Sequence, residues 1–486
     1  MKYFNLLILV IALFISSCNQ ETTEINNIKI DTVFVEKLVT KPSEIIIFDT
    51  ILNKKAEFIA GKSPNYYKKI EDKDFYKKHK KIVQKNWENF DIKNITPIKN
   101  WAKKENICFS ESQNSTLFYP FSGPDILYGI TLFPDCKNYI LFGLENPGTI
   151  PDYKSLSDNL LEYYFENLST SLRNLNRFGY FVTLKMKYDF RNSLLDGVVH
   201  IILFHLSLTD HVILDIKPFY LDNYGKEIYI NQLSDLSKNI EGIKIWFKNK
   251  NKDEIKTLYY LQTDVSNKNL SENLEFAYFI NNFENKQTFI KSASYLLFNN
   301  SFSIIKNIIL EQSDIILQDD TGLPFTDFAE NNFSTKIYGT YNKTINIYKE
   351  KFQPELKNAL NTETHDKNLP FRFGYNNRFG ETVLILAKNQ KTNNQETNKI
   401  IYKVQLTMLW DKKDFNDSIF SGLPSSLLDY YFDEGYYKYT LGLEYDEESC
   451  ENLLELAHNK GFNDAFIAAF ENGNRIPLPS LNDKNK

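Results

Sequence analysis

Four sets of side chains in the first 390 residues have types and spacing suited to chemistry. Asp319 and Asp320 are adjacent acids that follow a strand-like run and precede Thr321-Gly322-Leu323-Pro324. Acids at a strand end can hold a metal or act as acid and base. More commonly they satisfy the amides of their own loop. His200, His205 and His211 lie close together in sequence. The first two are five residues apart on an apolar helical run, so they face different sides and read as core or capping histidines. Ser122 stands in a turn, F-S-G-P-D, without the G-x-S-x-G of a nucleophile elbow. Cys108 and Cys136 can pair in an oxidising compartment, and their separation in sequence leaves the pairing open. No Cys/His set has zinc spacing. The sequence therefore predicts no catalytic residue, no metal and no cofactor.

A different pattern occupies the C-terminal 90 residues. Along 401–409 (IYKVQLTML), Tyr402, Val404, Leu406 and Met408 alternate with Lys403, Gln405 and Thr407. Along 436–443, Tyr437, Tyr439 and Leu441 alternate with Lys438, Thr440 and Gly442. Lys403, Gln405, Thr407, Lys438 and Thr440 thus make one polar sheet face. Its Gln amide can hydrogen-bond sugar hydroxyls and acetamides, although any water-facing antiparallel sheet is polar on one side. Asp446 is placed to cap a helix with Glu447 and Glu448 in its first turn. Cys450, Leu453, Leu454 and Ala457 form its apolar stripe, and Lys460-Gly461 ends it. A strand over 464–470, a turn at Asn472-Gly473 and a return at Arg475-Ile476 complete an order of strand, short helix, strand, helix, strand, strand.

The elements that must position the upstream candidates read as mixed. Strands are predicted at 139–144, 211–216 and 315–318, and helices at 157–174, 198–208 and 301–310. A hairpin joins 243–248 to 256–261. That mixture predicts one large α/β or α+β domain over 57–389. Residues 390–399 lack any large apolar side chain and read as a linker. The chain has 486 residues, enough for two or three domains. Its hydrophobic content of 42% supplies ample core. The C-terminal block over 400–476 holds 6 Lys and Arg against 14 Asp and Glu, while the whole chain carries only −5. Nothing is basic enough for nucleic acid.

Residues 6–15 (LLILVIALFI) form an apolar run behind Lys2, and Ser16, Ser17 and Cys18 follow. Ten helical residues rise only ~15 Å, too little to span a bilayer, so the segment reads as an export signal. Ile15-Ser16-Ser17-Cys18 resembles the lipobox of bacterial lipoproteins. The resemblance implies cleavage before Cys18 and lipidation of that residue, with residues 1–17 as signal peptide and 18–56 as the lipidated start and tether. Asn19, rather than Asp, favours the periplasmic face of the outer membrane.

The segments YKVQL (402–406), GYYKYTLG (435–442) and KGFNDAFIAAF (460–470) resemble a SPOR domain of the form common in Bacteroidota. The family has a ferredoxin-like sheet with helices on one face. It binds septal peptidoglycan, preferring glycan strands stripped of stem peptides. The resemblance implies an α+β chain whose residues 400–476 bind glycan through Lys403, Gln405, Thr407, Lys438 and Thr440, with a disordered tail at 477–486. Thr407 and Met408 replace the family's usual Gly and small residue, and Pro424 shortens the first helix. Segments YPFSGPDILY (119–128) and QDDTGLPF (318–325) resemble an uncharacterised family of Gram-negative exported proteins, which implies no activity. The expected partners are glycan strands and, through the lipid, a membrane; no protein partner is specified. A wall enzyme or regulator with a catalytic large domain is the alternative, and a protein-binding scaffold the third reading.

Overall fold

The computed structural model describes residues 49–107, 115–178, 197–222, 225–230, 242–273, 275–362, 368–372, 374–375, 381–390, 400–415, 417–424, 427–433, 435–444, 447–471 and 474–478. The chain is α+β, as predicted. It forms two compact units that divide between Glu396 and Thr397. Cys18, the export signal, Cys108, Asp446 and the Asn472-Gly473 turn lie outside the described residues. Among the described residues no helix is long and apolar enough to cross a membrane.

The larger unit is built on a ten-stranded mixed sheet. Its strands are β1 (Thr116–Tyr119), β2 (Asn138–Gly143), β3 (His211–Leu221), β4 (Glu227–Tyr229), β5 (Gly242–Asn249), β6 (Ile255–Gln262), β7 (Lys286–Ile290), β8 (Ser313–Gln318), β9 (Phe333–Gly339) and β10 (Val383–Asn389). They lie in the order β4-β3-β5-β6-β2-β1-β7-β8-β10-β9. The central five, β6-β2-β1-β7-β8, are parallel. The predicted strands and the hairpin 243–248/256–261 are all present.

Residues along each central strand alternate between two cores, as a sheet covered on both faces requires. Leu117, Tyr119, Tyr139 and Leu141 enter one core, and Phe118, Ile140 and Phe142 the other. The first core is closed by six helices: α1 (Thr50–Ile59), α2 (Lys68–Glu71), α3 (Asp74–Phe90), α4 (Thr96–Glu105), α5 (Ile126–Leu132) and α6 (Asp158–Phe178), together with α7 (Val199–Leu208). Leu161, Tyr164, Phe165 and Leu168 give α6 its single buried stripe. Every residue of α7 is buried, which is why that segment shows no amphipathic pattern. The second core is closed by α8 (Asn267–Glu272), α9 (Glu275–Asn281), α10 (Ser303–Gln312), α11 (Thr326–Glu330) and α12 (Pro354–Thr362).

One boundary is corrected. Residues 49–56, expected in the tether, begin the large unit. Asp49 caps α1 by accepting from the amides of Ile51 and Leu52. Phe58 and Ile59, at its end, are fully buried.

In the smaller unit β11 (Ile400–Leu409), β12 (Leu428–Asp433), β13 (Tyr436–Glu444), β14 (Phe466–Glu471) and β15 (Asn474–Ile476) form an antiparallel sheet in the order β12-β13-β11-β14-β15. The helix α13 (Glu447–Asn459) covers one face. The short helix expected between the first two strands is a single 3-10 turn, Ser418–Phe420. The strand β12 was not predicted: in LLDYYFD the apolar residues are too continuous to show alternation.

Candidate functional site

The chain leaves β1 for β2 through α5 on one face of the large sheet. It reaches β7 through α8 and α9, and β8 through α10, all on the other face. The strand order therefore reverses between β1 and β7. In open α/β sheets a crevice forms at such a point, outside the carboxyl ends of the strands. A cleft of about 750 Å³ opens there, within the usual range for small-molecule sites.

Loops at the strand ends line much of the cleft, with residues 263–266 after β6 and Ile345, Ile347 and Tyr348 lining it too. Residues 121–125 follow β1, residues 143–145 end β2, and residues 291–295 follow β7. Two of these loops carry side chains in left-handed backbone: Phe121 at φ +59°, then Ser292, Ser294 and Tyr295 at +54°, +55° and +56°. Non-glycine residues in that region are strained, and such strain concentrates at functional sites.

Lys291 and Asp125 join the loops after β7 and β1. The Lys291 ammonium donates to Oδ2 of Asp125 and lies 3.7 Å from the centre of the Tyr128 ring. Both side chains are 2% exposed. The Tyr119 hydroxyl donates to the same carboxylate at 2.8 Å, and the Asp125 side chain caps α5. Burial pushes the Lys291 ammonium below its ordinary value and the Asp125 carboxyl above its own, while the contact between them opposes both shifts.

Asp319 and Asp320 are buried beside this pair. Asp319 accepts from the Ser292 amide at 2.9 Å, from the Thr321 amide at 3.0 Å and from the Thr321 hydroxyl. It acts as a loop clamp, the commoner role for such acids. Asp320 accepts from the Tyr295 hydroxyl. Burial, and then the Asp319 charge, raise its carboxyl to about 7. Ser122 lines the cleft and donates to the Gly123 carbonyl.

The sequence candidates elsewhere are not brought together. His200 meets the Tyr164 hydroxyl at 2.8 Å and His211 that of Thr209 at 3.0 Å, while His205 is buried in α7. Among the described residues no group of three or more His, Cys, Asp and Glu could hold a metal ion. Cys136 is buried, and burial pushes its thiol up to about 12.

The polar face of the smaller sheet differs from its sequence reading. A bulge between Gln405 and Thr407 shifts the register of β11. Thr407 then pairs with Tyr439, a core residue, and Met408 pairs with Lys438. Cross-strand partners share a face, so Thr407 turns to the helix-covered side and Met408 replaces it on the open one. Gln405 and Lys438 are not solvent-facing: they are 7% and 6% exposed, and Thr440 is buried too. Tyr431 from β12 donates to the Gln405 carbonyl at 2.7 Å and packs edge-on against Phe470. Lys438 pairs with Asp433 and Lys403 with Asp429, each at 2.6 Å. The exposed apolar groups on this face are instead Met408, Trp410, packed at 4.0 Å on Tyr436, and Phe466, with the Arg475 guanidinium 5.2 Å over its ring. Trp410 is 71% exposed.

Compared with known protein families, with curated proteins and with solved structures, the chain matches none.

Proposed function

We propose that this chain is an envelope lipoprotein, lipidated at Cys18 at the periplasmic face of the outer membrane, whose smaller unit binds peptidoglycan glycan strands in the manner of a SPOR domain. One observation carries the wall-binding reading. The open sheet face presents aromatic rings beside a cation and a buried amide: Trp410 on Tyr436, Phe466 under Arg475, and Gln405 behind them. Flat rings give large contact area at little entropic cost, which suits the apolar faces of sugar rings, and a guanidinium suits the muramic carboxylate. The order of the first four strands, second-third-first-fourth, with α13 between third and fourth, supports the ferredoxin-like reading.

Contact with glycan falls in this reading to Trp410, Phe466 and Arg475. Gln405 positions Tyr431 and Arg475, with its carbonyl 3.4 Å from the guanidinium. Full-length protein should pellet with sacculi stripped of peptide by an amidase, and less with intact sacculi. Trp410→Ala should weaken pelleting at least ~10-fold, as loss of an aromatic anchor does, with an unchanged melting midpoint. Absence of pelleting with either preparation overturns wall binding; equal pelleting with both removes the preference for stripped strands.

The anchor has its own test. Cys18→Ala should abolish labelling by a fatty-acid probe and leave the protein uncleaved or free in the periplasm. Continued partitioning of that variant into detergent defeats lipidation at Cys18.

A further inference from the structure

The proposed wall binding gives the cleft of the larger unit no role, yet the cleft has the marks of a built site. It is about 750 Å³ in volume, lies where the strand order reverses and is walled by strained loops. Two more features say what it holds. The first is charge. The charged side chains among its described lining residues are Asp125, Glu145, Asp264 and Lys291. Asp125 and Lys291 neutralise each other in the floor, which leaves the two carboxylates. Asp264 is turned to its own loop, accepting from the Ser266 amide. Glu145 is different. Its one described donor is the Tyr260 hydroxyl, 3.4 Å from Oε2, so most of its acceptor capacity is unused.

The second feature is space. The Glu145 carboxylate lies over two glycines, Gly123 and Gly143. A Cβ at Gly143 would stand 2.4 Å from Glu145 Oε2, and one at Gly123 3.7 Å away. Gly143 has ordinary strand backbone, so no turn requires glycine there. What its missing side chain provides is room for the carboxylate first, and for the Gly123 backbone and the Tyr260 hydroxyl at 3.1 and 3.3 Å. The same cleft is also lined by aromatic rings. The Phe121 ring packs on Phe142 at 6.0 Å and on Phe302 at 6.3 Å.

We propose that this cleft binds a small amphipathic ligand through its amine, with the Glu145 carboxylate as counter-ion and Phe121, Phe142 and Phe302 around its apolar body. An ammonium group fills the unused acceptor sites of Glu145, and the aromatic wall adds cation–π attraction. Ligands whose polar end is a carboxylate or phosphate are repelled. The inference does not depend on wall binding.

The test uses the full chain and two probes of like size, 2-phenylethylamine and 3-phenylpropionate, followed by calorimetry and ligand-observed NMR. The amine should bind, and added salt should weaken it; the acid should not bind. Glu145→Gln keeps the shape of the side chain and should weaken the amine about tenfold, as expected for a partly buried ion pair. Phe302→Ala should weaken it also, without changing its salt dependence. Gly143→Ala, which displaces the carboxylate, should reproduce the Glu145→Gln loss. Binding of the acid as tightly as the amine overturns the proposal. So does an amine affinity unchanged by Glu145→Gln, or failure of both probes to bind.

Discussion

Lowering the pH from 7 to 5 should destabilise the larger unit. Burial lowers four of its histidines below their ordinary range: His79, His200 and His211 to about 4, and His205 to about 3. The folded state keeps them neutral while the unfolded chain protonates them near 6.5. Their contribution is fully present above that value and is lost as pH falls toward the folded values. At pH 5 each has lost roughly 2 kcal/mol, about 8 kcal/mol for the four. Asp320 works the other way. Its carboxyl, raised to about 7, takes up a proton in the folded state that the unfolded chain does not yet bind. It returns roughly 2 kcal/mol between pH 7 and 5. Burial raises the Asp125 and Asp319 carboxyls as well, and these work in the same direction as Asp320, so the buried acids offset part of the histidines' loss. Thermal melts at pH 8, 7, 6 and 5 should therefore show a midpoint that falls steeply below pH 6.5. His205→Leu should flatten the fall by about 2 kcal/mol at pH 5. A midpoint constant from pH 7 to 5 would show that these side chains are protonated equally in both states.

His200 and His205 were legible as core residues because their neighbours are apolar on every side: Val199-His200-Ile201-Ile202 and Phe204-His205-Leu206 leave no polar face for a site, whereas His79, set among lysines, gave no such signal. The buried strands of the large sheet were legible for the same reason. The cleft was not. Glu145, Asp125 and Lys291 come from three loops spread over some 170 residues, and only the strand order brings those loops together. That order depends on which face each crossover takes, which no local pattern records. A partial signal existed: F-S-G-P-D and D-D-T-G are both polar turns placed directly after strands. On the smaller sheet, alternation gave the right faces up to Leu406 and failed at the bulge, since one extra residue reverses every later side chain. The exposure of Gln405 and Lys438 was misjudged for another reason. Tyr431, which lies over Gln405, belongs to a strand whose apolar run hid it.

Exchanging Lys291 for methionine should cost the larger unit about 3–5 kcal/mol, the usual loss when one partner of a buried ion pair is removed. The Asp125 carboxylate would keep the Tyr119 hydroxyl and the weak cap to the Tyr128 amide, but no cation. Asp319, also held in part by the field of Lys291, would lose it as well. Asp125→Asn should cost less. The amide retains the cap of α5, and Lys291 still has Asp319 within its electrostatic reach. The pair is thus asymmetric, with one cation serving two carboxylates. The double variant Asp125→Asn/Lys291→Met should lose much less than the sum of the two single losses, because a buried pair removed together leaves neither charge unpaired. Urea or thermal midpoints of the four proteins close this cycle, and strict additivity would mean that the two charges are not coupled. The loss should also be local. Lys291 and Asp125 tie the loop after β7 to the loop after β1, where the strand order reverses. Amide exchange should therefore quicken first at residues 121–125 and 291–295, ahead of the helices on either face. If the pair only added general stability, exchange would rise evenly across the sheet. A rise confined to the two loops assigns it the task of holding the cleft walls in register.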